Sequence, residues 1–184
     1  MPPVNLKVNI FRNCKMSIDL VYYGNSTLKC VAEEIKNIDE ITMKLADSMF
    51  EVMHRACGVG LAAPQVDVSK RLIVFDYENY NGPVKALVNP CIKESSPAKV
   101  PYDEGCLSIP GISREIVRPA GVLVSGVSLD GKEVEFEAYG LTARILQHEI
   151  DHLNGIVFID YLEDYVRKEL LPQLKKIKKM NKQS

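Results

Sequence analysis

The sequence is missing several features that would place a protein in a class on sight. No apolar run approaches the ~20 residues that a bilayer-spanning helix requires, so a membrane-embedded chain is not expected. Net charge is almost absent, because 23 basic residues face 24 acidic ones, and this argues against a bulk polyanion binder. There is no internal repeat and no low-complexity linker, and 184 residues with 46% apolar content suit one compact domain with one core. Paired cysteine spacing is also lacking. Cys14, Cys30, Cys57, Cys91 and Cys106 are odd in number, unlike a disulfide framework, and point to a reducing, cytoplasmic setting. The first fifteen residues hold Lys7, Arg12 and Lys15 but no acid, no apolar stretch and little serine. We expect 1–15 to be a loose extension, with organelle targeting the lesser alternative, followed by a domain over 16–165 and a basic tail over 166–184.

What is present is periodicity. Ile38, Ile41, Leu45, Met49, Val52, Met53 and Ala56 recur at three- and four-residue steps and predict a helix over 38–56. Asn37 or Asp39 can cap it, and Gly58 follows its end. A second helix is expected over 141–154, closed by Gly155. Strands are expected over 72–77, 84–88 and 122–129, the last pairing with 133–139 as a hairpin. Asp130-Gly131 suggests a type I′ turn there, and Val134, Phe136 and Ala138 alternate with Glu133, Glu135 and Glu137. A last helix is expected from about Tyr161, with Pro172 kinking or breaking it. These elements describe an α+β fold, short antiparallel sheets packed around a central helix, with a C-terminal helix.

The chemistry concentrates in Gln147-His148-Glu149-Ile150-Asp151-His152. On a helix His148 and His152 share a face and reach one metal ion, and Glu149 sits beside it as a general acid/base. A catalytic site of this kind takes three protein ligands, so a third is needed. A metzincin pattern has Gly155 but puts Phe158 at the ligand position, and a phenyl ring donates no lone pair. A thermolysin-like pattern would use Glu163 or Glu169, which are equally well explained as solvated charges. The remaining candidate is Cys106 within Glu104-Gly105-Cys106-Leu107-Ser108-Ile109-Pro110, a segment that reads as a constrained loop. A lone cysteine is more often a small buried hydrophobe. A further stretch, Gly58-Val59-Gly60-Leu61-Ala62-Ala63-Pro64-Gln65, reads as a tight turn with close backbone packing.

Taken together, GVGLAAPQ at 58–65, EGCLSIP at 104–110 and QHEIDH at 147–152 resemble the three signature motifs of peptide deformylases, in the same order, over most of the chain from Met16 to Leu162. The tail is similar to that of the bacterial type 1 branch. The resemblance implies removal of the formyl group from the N-terminal formylmethionine of nascent polypeptides, with release of formate. It implies Cys106, His148 and His152 as metal ligands and Glu149 as the catalytic acid/base. It further implies Gln65 and the Leu107 N–H at the developing oxyanion, and the backbone of Gly60, Glu104 and Gly105 against the substrate chain. Fe(II) is the implied ion, with Zn, Ni or Co also suited to one sulfur and two imidazoles. Val59, Leu141 and Ile145 lie near the motifs and are expected to wall the methionine pocket. Cys57 departs from relatives, which often carry a polar residue there, and 1–15 have no clear counterpart.

From residue 166 onward Arg167, Lys168, Lys175, Lys176, Lys178, Lys179 and Lys182 face a single acid, Glu169. A solvated helix end explains this. The resemblance to type 1 deformylases implies instead a ribosome contact, and no contact with membranes is expected. Two rival readings of the site are a metal-binding domain without turnover and a cysteine hydrolase with Cys106 as nucleophile and His148 as base.

Overall fold

A computed structural model describes residues 16–76 and 85–182, leaving out the side chain of Lys182. The 1–15 extension, Tyr77 and Val84 from the expected strands, and the last two residues of the tail lie outside that range. Three α-helices and seven strands are found among the described residues. α1 (Glu40–Arg55) leads into β1 (Gly60–Ala62) and β2 (Leu72–Phe75), then β3 (Ala86–Ser95). A hairpin, β4 (Lys99–Cys106) and β5 (Ile109–Pro119), follows. β6 (Gly121–Val127) and β7 (Glu133–Tyr139) run directly into α2 (Gly140–Leu153), and α3 (Asp164–Lys178) ends the fold. The sheets are antiparallel, one of five strands in the order β1-β2-β3-β6-β7 and one of two, β4-β5. This is the α+β architecture expected.

α2 is the spine. Ala143, Ile145, Leu146, Ile150 and Leu153 on one side of it pack with Ile73, Phe75, Leu87, Val122 and Val124 of the large sheet. The opposite face of that sheet meets α1 through Leu45, Met49, Val52, Met53, Leu72 and Val74. The third cluster joins the β4-β5 hairpin to α3, with Ile109, Ile112 and Ile116 against Leu170, Leu174 and Ile177.

Several expectations need correction. Asp39 caps α1, its side chain accepting from the Thr42 N–H at 2.8 Å, but Ile41 is 66% exposed. The buried stripe runs through Thr42 and Ala46 instead, one position round from Ile41. The left-handed residue after α1 is Cys57 at φ 55°, not Gly58. Gly58 donates to the Met53 carbonyl at 2.9 Å to close the helix end, and a Cβ there would meet Leu107 Cδ1 at 2.7 Å. The β6-β7 hairpin exists, but only Gly131 has positive φ and Ser128 N–H bonds the Lys132 carbonyl at 2.9 Å. Its loop therefore holds three residues, with the left-handed glycine last, and not a type I′ pair. The segment 104–110, expected as a constrained loop from Gly105 and Pro110, is instead the end of β4 and the start of β5, joined by a tight turn at Leu107 and Ser108. A two-stranded sheet with open outer edges tolerates prolines that an inner strand would not. Pro172 does not break α3. It lies on the exposed side of α3, where a carbonyl left without its helical partner can turn toward water.

Gly155 closes α2 at φ 73°, and a Cβ on it would stand 2.8 Å from the Lys29 carbonyl oxygen. Gly131, at φ 83°, has open space around it. We expect Gly131→Ala to cost about 1 kcal/mol, the backbone strain alone, and Gly155→Ala to cost clearly more, as read from urea midpoints. Equal losses would show that the Lys29 contact gives way freely.

Candidate metal centre and cleft

His148 and His152 stand one turn apart on α2 with ring centroids 5.1 Å apart, and Cys106 closes β4 as the hairpin turns toward them. The Cys106 sulfur lies 3.2 Å from His152 Nε2. One sulfur and two ring nitrogens lie within 4.8 Å of one another, the one such donor group found among the described residues. The alternatives fall elsewhere. Phe158 is buried and stacks near His148 at 6.4 Å between centroids, and Glu163 and Glu169 are exposed on and before α3.

The surroundings favour a cation at this point. Burial favours a neutral ring at His148, yet the Cys106 sulfur and the Glu104 and Glu149 carboxylates outweigh it and raise its pKa. His152, fully buried and near positive groups, is held neutral, with its pKa well below the ordinary value, the state in which an imidazole nitrogen can ligate. A soft sulfur, two imidazoles and no fourth protein donor suit a catalytic divalent transition metal with one position open.

Glu149 is 4% exposed, and its Oε2 has no hydrogen-bond partner. Burial, assisted by Glu104 and Asp151 and opposed by His148 and Arg118, pushes its pKa up to about 7. The carboxylate lies against β1, where a Cβ on Gly60 would come 2.5 Å from Glu149 Oε1, so the glycine makes room for it. Gln65 is 1% exposed in the short 3-10 turn Ala63–Val66. Its Oε1 accepts from the Ala62 N–H at 2.8 Å, which turns Nε2 toward Cys106 Sγ at 3.4 Å.

A cleft of about 860 Å³ opens over these groups. Gln65, Cys106, His148 and Glu149 line its floor, and Val59, Gly60, Glu104, Gly105, Leu107, Leu141 and Ile145 also line it. His152 lies behind the floor, fully buried. β1 and β4, which contribute Gly60 and Gly105, are both edge strands facing this space.

The side chain of Glu104 has a function that sequence reading missed. Its carboxylate receives Arg118 Nε at 2.6 Å and Arg118 Nη2 at 3.0 Å. It also receives Arg144 Nη1 at 2.7 Å, and His148 Nδ1 at 3.1 Å. Arg118 continues to Asp151 Oδ2 at 2.5 Å, which also accepts from the Tyr161 hydroxyl at 2.9 Å. Burial would raise the Glu104 pKa, but His148 and Arg118 outweigh it and hold it at about 2. Bonding His148 through Nδ1 leaves the Nε2 side of the ring for the donor cluster and fixes its orientation. The one signal in the sequence was Arg144, a cation one turn before His148 on the same helix face.

Three comparisons with known proteins agree. The sequence matches the polypeptide deformylase family over residues 18–168. It is 45% identical over 159 residues to the peptide deformylase of Hydrogenovibrio crunogenus, covering 86% of this chain and 94% of that protein. It is 44% identical over 164 residues to that of Thermodesulfovibrio yellowstonii, covering 88% of this chain and 98% of the other. The crystal structure of the Ehrlichia chaffeensis peptide deformylase in complex with actinonin superposes with a TM-score of 0.81 at 42% identity, over 90% of this chain and 98% of that one.

Removing one member of a buried ion network leaves its partners charged and dry. We expect Arg118→Met to lower stability at neutral pH by about 3–5 kcal/mol in a urea titration. Glu104 has a depressed pKa, so its contribution is full above the unfolded value of 4.5 and is lost as pH falls toward about 2. The gap between Arg118→Met and the parent should narrow across that window, and a constant gap would show that the loss is one of packing.

Proposed function

The chain belongs to the peptide deformylase family, a metal-dependent hydrolase that removes the N-formyl group from formylmethionyl nascent peptides, and we propose how its own residues divide that work. Cys106, His148 and His152 hold the ion. Fe(II) is the choice we favour from likeness to the family, since the donor set accepts Zn, Ni or Co as readily. Such an ion supplies Lewis acidity that makes water a usable nucleophile at neutral pH. Glu149 Oε2 accepts a proton as the formyl carbon is attacked and returns it to the amine nitrogen as the C–N bond breaks. Burial without a hydrogen-bond partner at Oε2 raises the carboxylate's affinity for a proton, which suits a group that takes one and gives it back.

Gln65 Nε2, 3.4 Å from the Cys106 sulfur, and the N–H of Leu107, the next residue along the chain, are the donors for the charge that develops on the formyl oxygen. Donors fixed in advance cost no reorganisation at that moment, and the Ala62 N–H bond fixes the amide of Gln65. The free edges at Gly60 and at Glu104-Gly105 take the substrate backbone as an added strand, which orients the formyl end toward Glu149. Val59, Leu141 and Ile145 take the methionine side chain. A cytoplasmic setting fits a thiolate ligand that oxidation would spoil, and no helix among the described residues is long and apolar enough to cross a membrane. The observation that carries this reading is the meeting of one sulfur and two ring nitrogens beside a buried carboxylate without a partner.

The basic face of α3 is proposed as a ribosome contact. Leu170, Leu174 and Ile177 turn inward, which leaves Lys175, Lys176, Lys178 and Lys179 exposed toward solvent.

Glu149→Ala is expected to retain its ion by metal analysis and to lose roughly 10²–10⁴-fold in turnover on a formyl-Met tripeptide. An empty site in that variant would make Glu149 a ligand and end the assignment. For the tail, truncation would expose the α3 cluster, so substitution is the cleaner test. Lys175→Gln with Lys176→Gln and Lys179→Gln should weaken co-sedimentation with ribosomes at low salt and leave peptide hydrolysis intact; undiminished binding would remove the contact.

A further inference from the structure

The two protein donors assigned to the formyl oxygen stand on different sheets. Gln65 lies in the 3-10 turn that follows β1 of the five-stranded sheet, and Leu107 lies in the turn that joins β4 to β5. Among the described residues no strand pairing joins β1 to that hairpin, so their spacing has to be fixed by other means. The segment before α1 spans the gap. Its Val21 N–H donates to the Gln65 carbonyl at 2.9 Å, and its Tyr23 N–H donates to the Ser108 carbonyl at 2.8 Å. One short stretch of backbone thus holds the residue that carries one donor and the neighbour of the residue that carries the other.

The backbone of Tyr22, between these two anchors, is gripped by a different element, the C-terminal turn Met180–Lys182. Asn181 Oδ1 accepts from the Tyr22 N–H at 2.8 Å. Its Nδ2 donates to the Tyr22 carbonyl at 2.9 Å and to the Tyr23 carbonyl at 3.2 Å. A carboxamide offers an acceptor oxygen and two N–H donors, and here all of them are engaged. Two further contacts bring α3 to the same place. The aliphatic stem of Lys178 lies across Gly24, where a Cβ would stand 2.6 Å from Lys178 Cγ. Tyr22, Tyr23 and Cys106 pack against the cluster that contains Leu170, Leu174 and Ile177.

We propose that Asn181 is a positioning residue for formyl hydrolysis: by clamping Tyr22 it holds residues 21–23 as a splint between Gln65 and Ser108, and so fixes the spacing of the two oxyanion donors. The inference rests on the roles given above to Gln65 and Leu107, and it adds a residue that none of the three motif segments contains. A donor stabilises the oxyanion only if it is already aimed where the charge forms, and a misplacement of about 1 Å can cost 10²-fold in rate. None of the bonds made by 21–23 named above goes to a metal ligand or to Glu149. Loosening the splint therefore leaves ligation and proton transfer in place and weakens only the hold on the charged oxygen. That charge develops during attack, so the loss falls on kcat and not on KM.

The test measures kcat and KM on formyl-Met-Ala-Ser with the full-length, metal-loaded enzyme in four forms: the parent, Asn181→Leu, Gln65→Leu and the double variant. Asn181→Leu keeps the side-chain volume and loses all three bonds. It should retain its ion by metal analysis and lower kcat roughly five- to fiftyfold with KM within about twofold, short of the 10²–10³-fold that loss of an oxyanion donor costs. Gln65→Leu should show that larger loss. The two should not multiply, because with no amide left to misplace the Asn181→Leu step should shrink to about threefold or less. A kcat unmoved by Asn181→Leu beside an impaired Gln65→Leu overturns the inference. So does a loss confined to KM, and so do losses that multiply in full, which would mark a general structural effect. If Gln65→Leu itself turns over like the parent, the donor assignment under the proposed function is what has failed, and the splint falls with it.

Discussion

The buried carboxylate of Glu104 depends on two arginines for its charge, and the site depends on that carboxylate for its shape. An isolated ionised carboxyl in such a place would cost several kcal/mol and would take up a proton instead. Here Arg118 grips it with two donors and Arg144 with one, while Arg144 also satisfies the Ile116 and Val100 carbonyls at 3.0 and 2.8 Å. Because Arg118 comes from β5, Arg144 and His148 from α2 and Glu104 from β4, the network fastens the two-stranded hairpin to the helix. Cys106 stands two residues after Glu104 on the same strand, so fastening Glu104 also sets where the sulfur meets the imidazoles.

That arrangement separates two carboxylates that a sequence would treat alike. Glu104 is surrounded by donors and held at about 2, and Glu149 is equally buried but without a partner and pushed up to about 7. Environment alone gives one a structural charge and the other an exchangeable proton. Glycine completes the division. Gly60 lets the Glu149 carboxylate rest against β1, and Gly58 lets Leu107 approach the end of α1, so both motif segments close on the cleft without a side chain between them.

The C-terminal helix has two faces with different fates. Its apolar side completes the third core cluster and its lysines remain outside. Beyond it Asn181 returns to the opening segment of the domain. A tail that sequence reading treats as an appendage is packed against the hairpin that carries Cys106.

Much could be read from residue order alone. The step from His148 to His152 defined a shared helix face, strict alternation in 133–139 defined a half-buried strand, and three motif segments in order identified the family. These are local patterns, and a helix or strand expresses them whatever surrounds it. Other features were beyond reach. Ile41 fits the helical period but faces water, because which side of α1 meets the sheet is set by the sheet. The tip of the β4-β5 hairpin hid behind Gly105 and Pro110, since only an open sheet edge excuses the proline. The convergence of Cys106 on two histidines more than forty residues away was legible only through likeness to a known family, while the arginines that keep Glu104 ionised and the meeting of Asn181 with Tyr22 depend on contacts between distant segments that no local pattern records. Sequence determined which chemical groups were available and on what local element each would stand. Tertiary packing decided which of them meet and which are dry, and with that the charge each one carries, because charge in a folded chain is set by neighbours and solvent and not by position along the backbone.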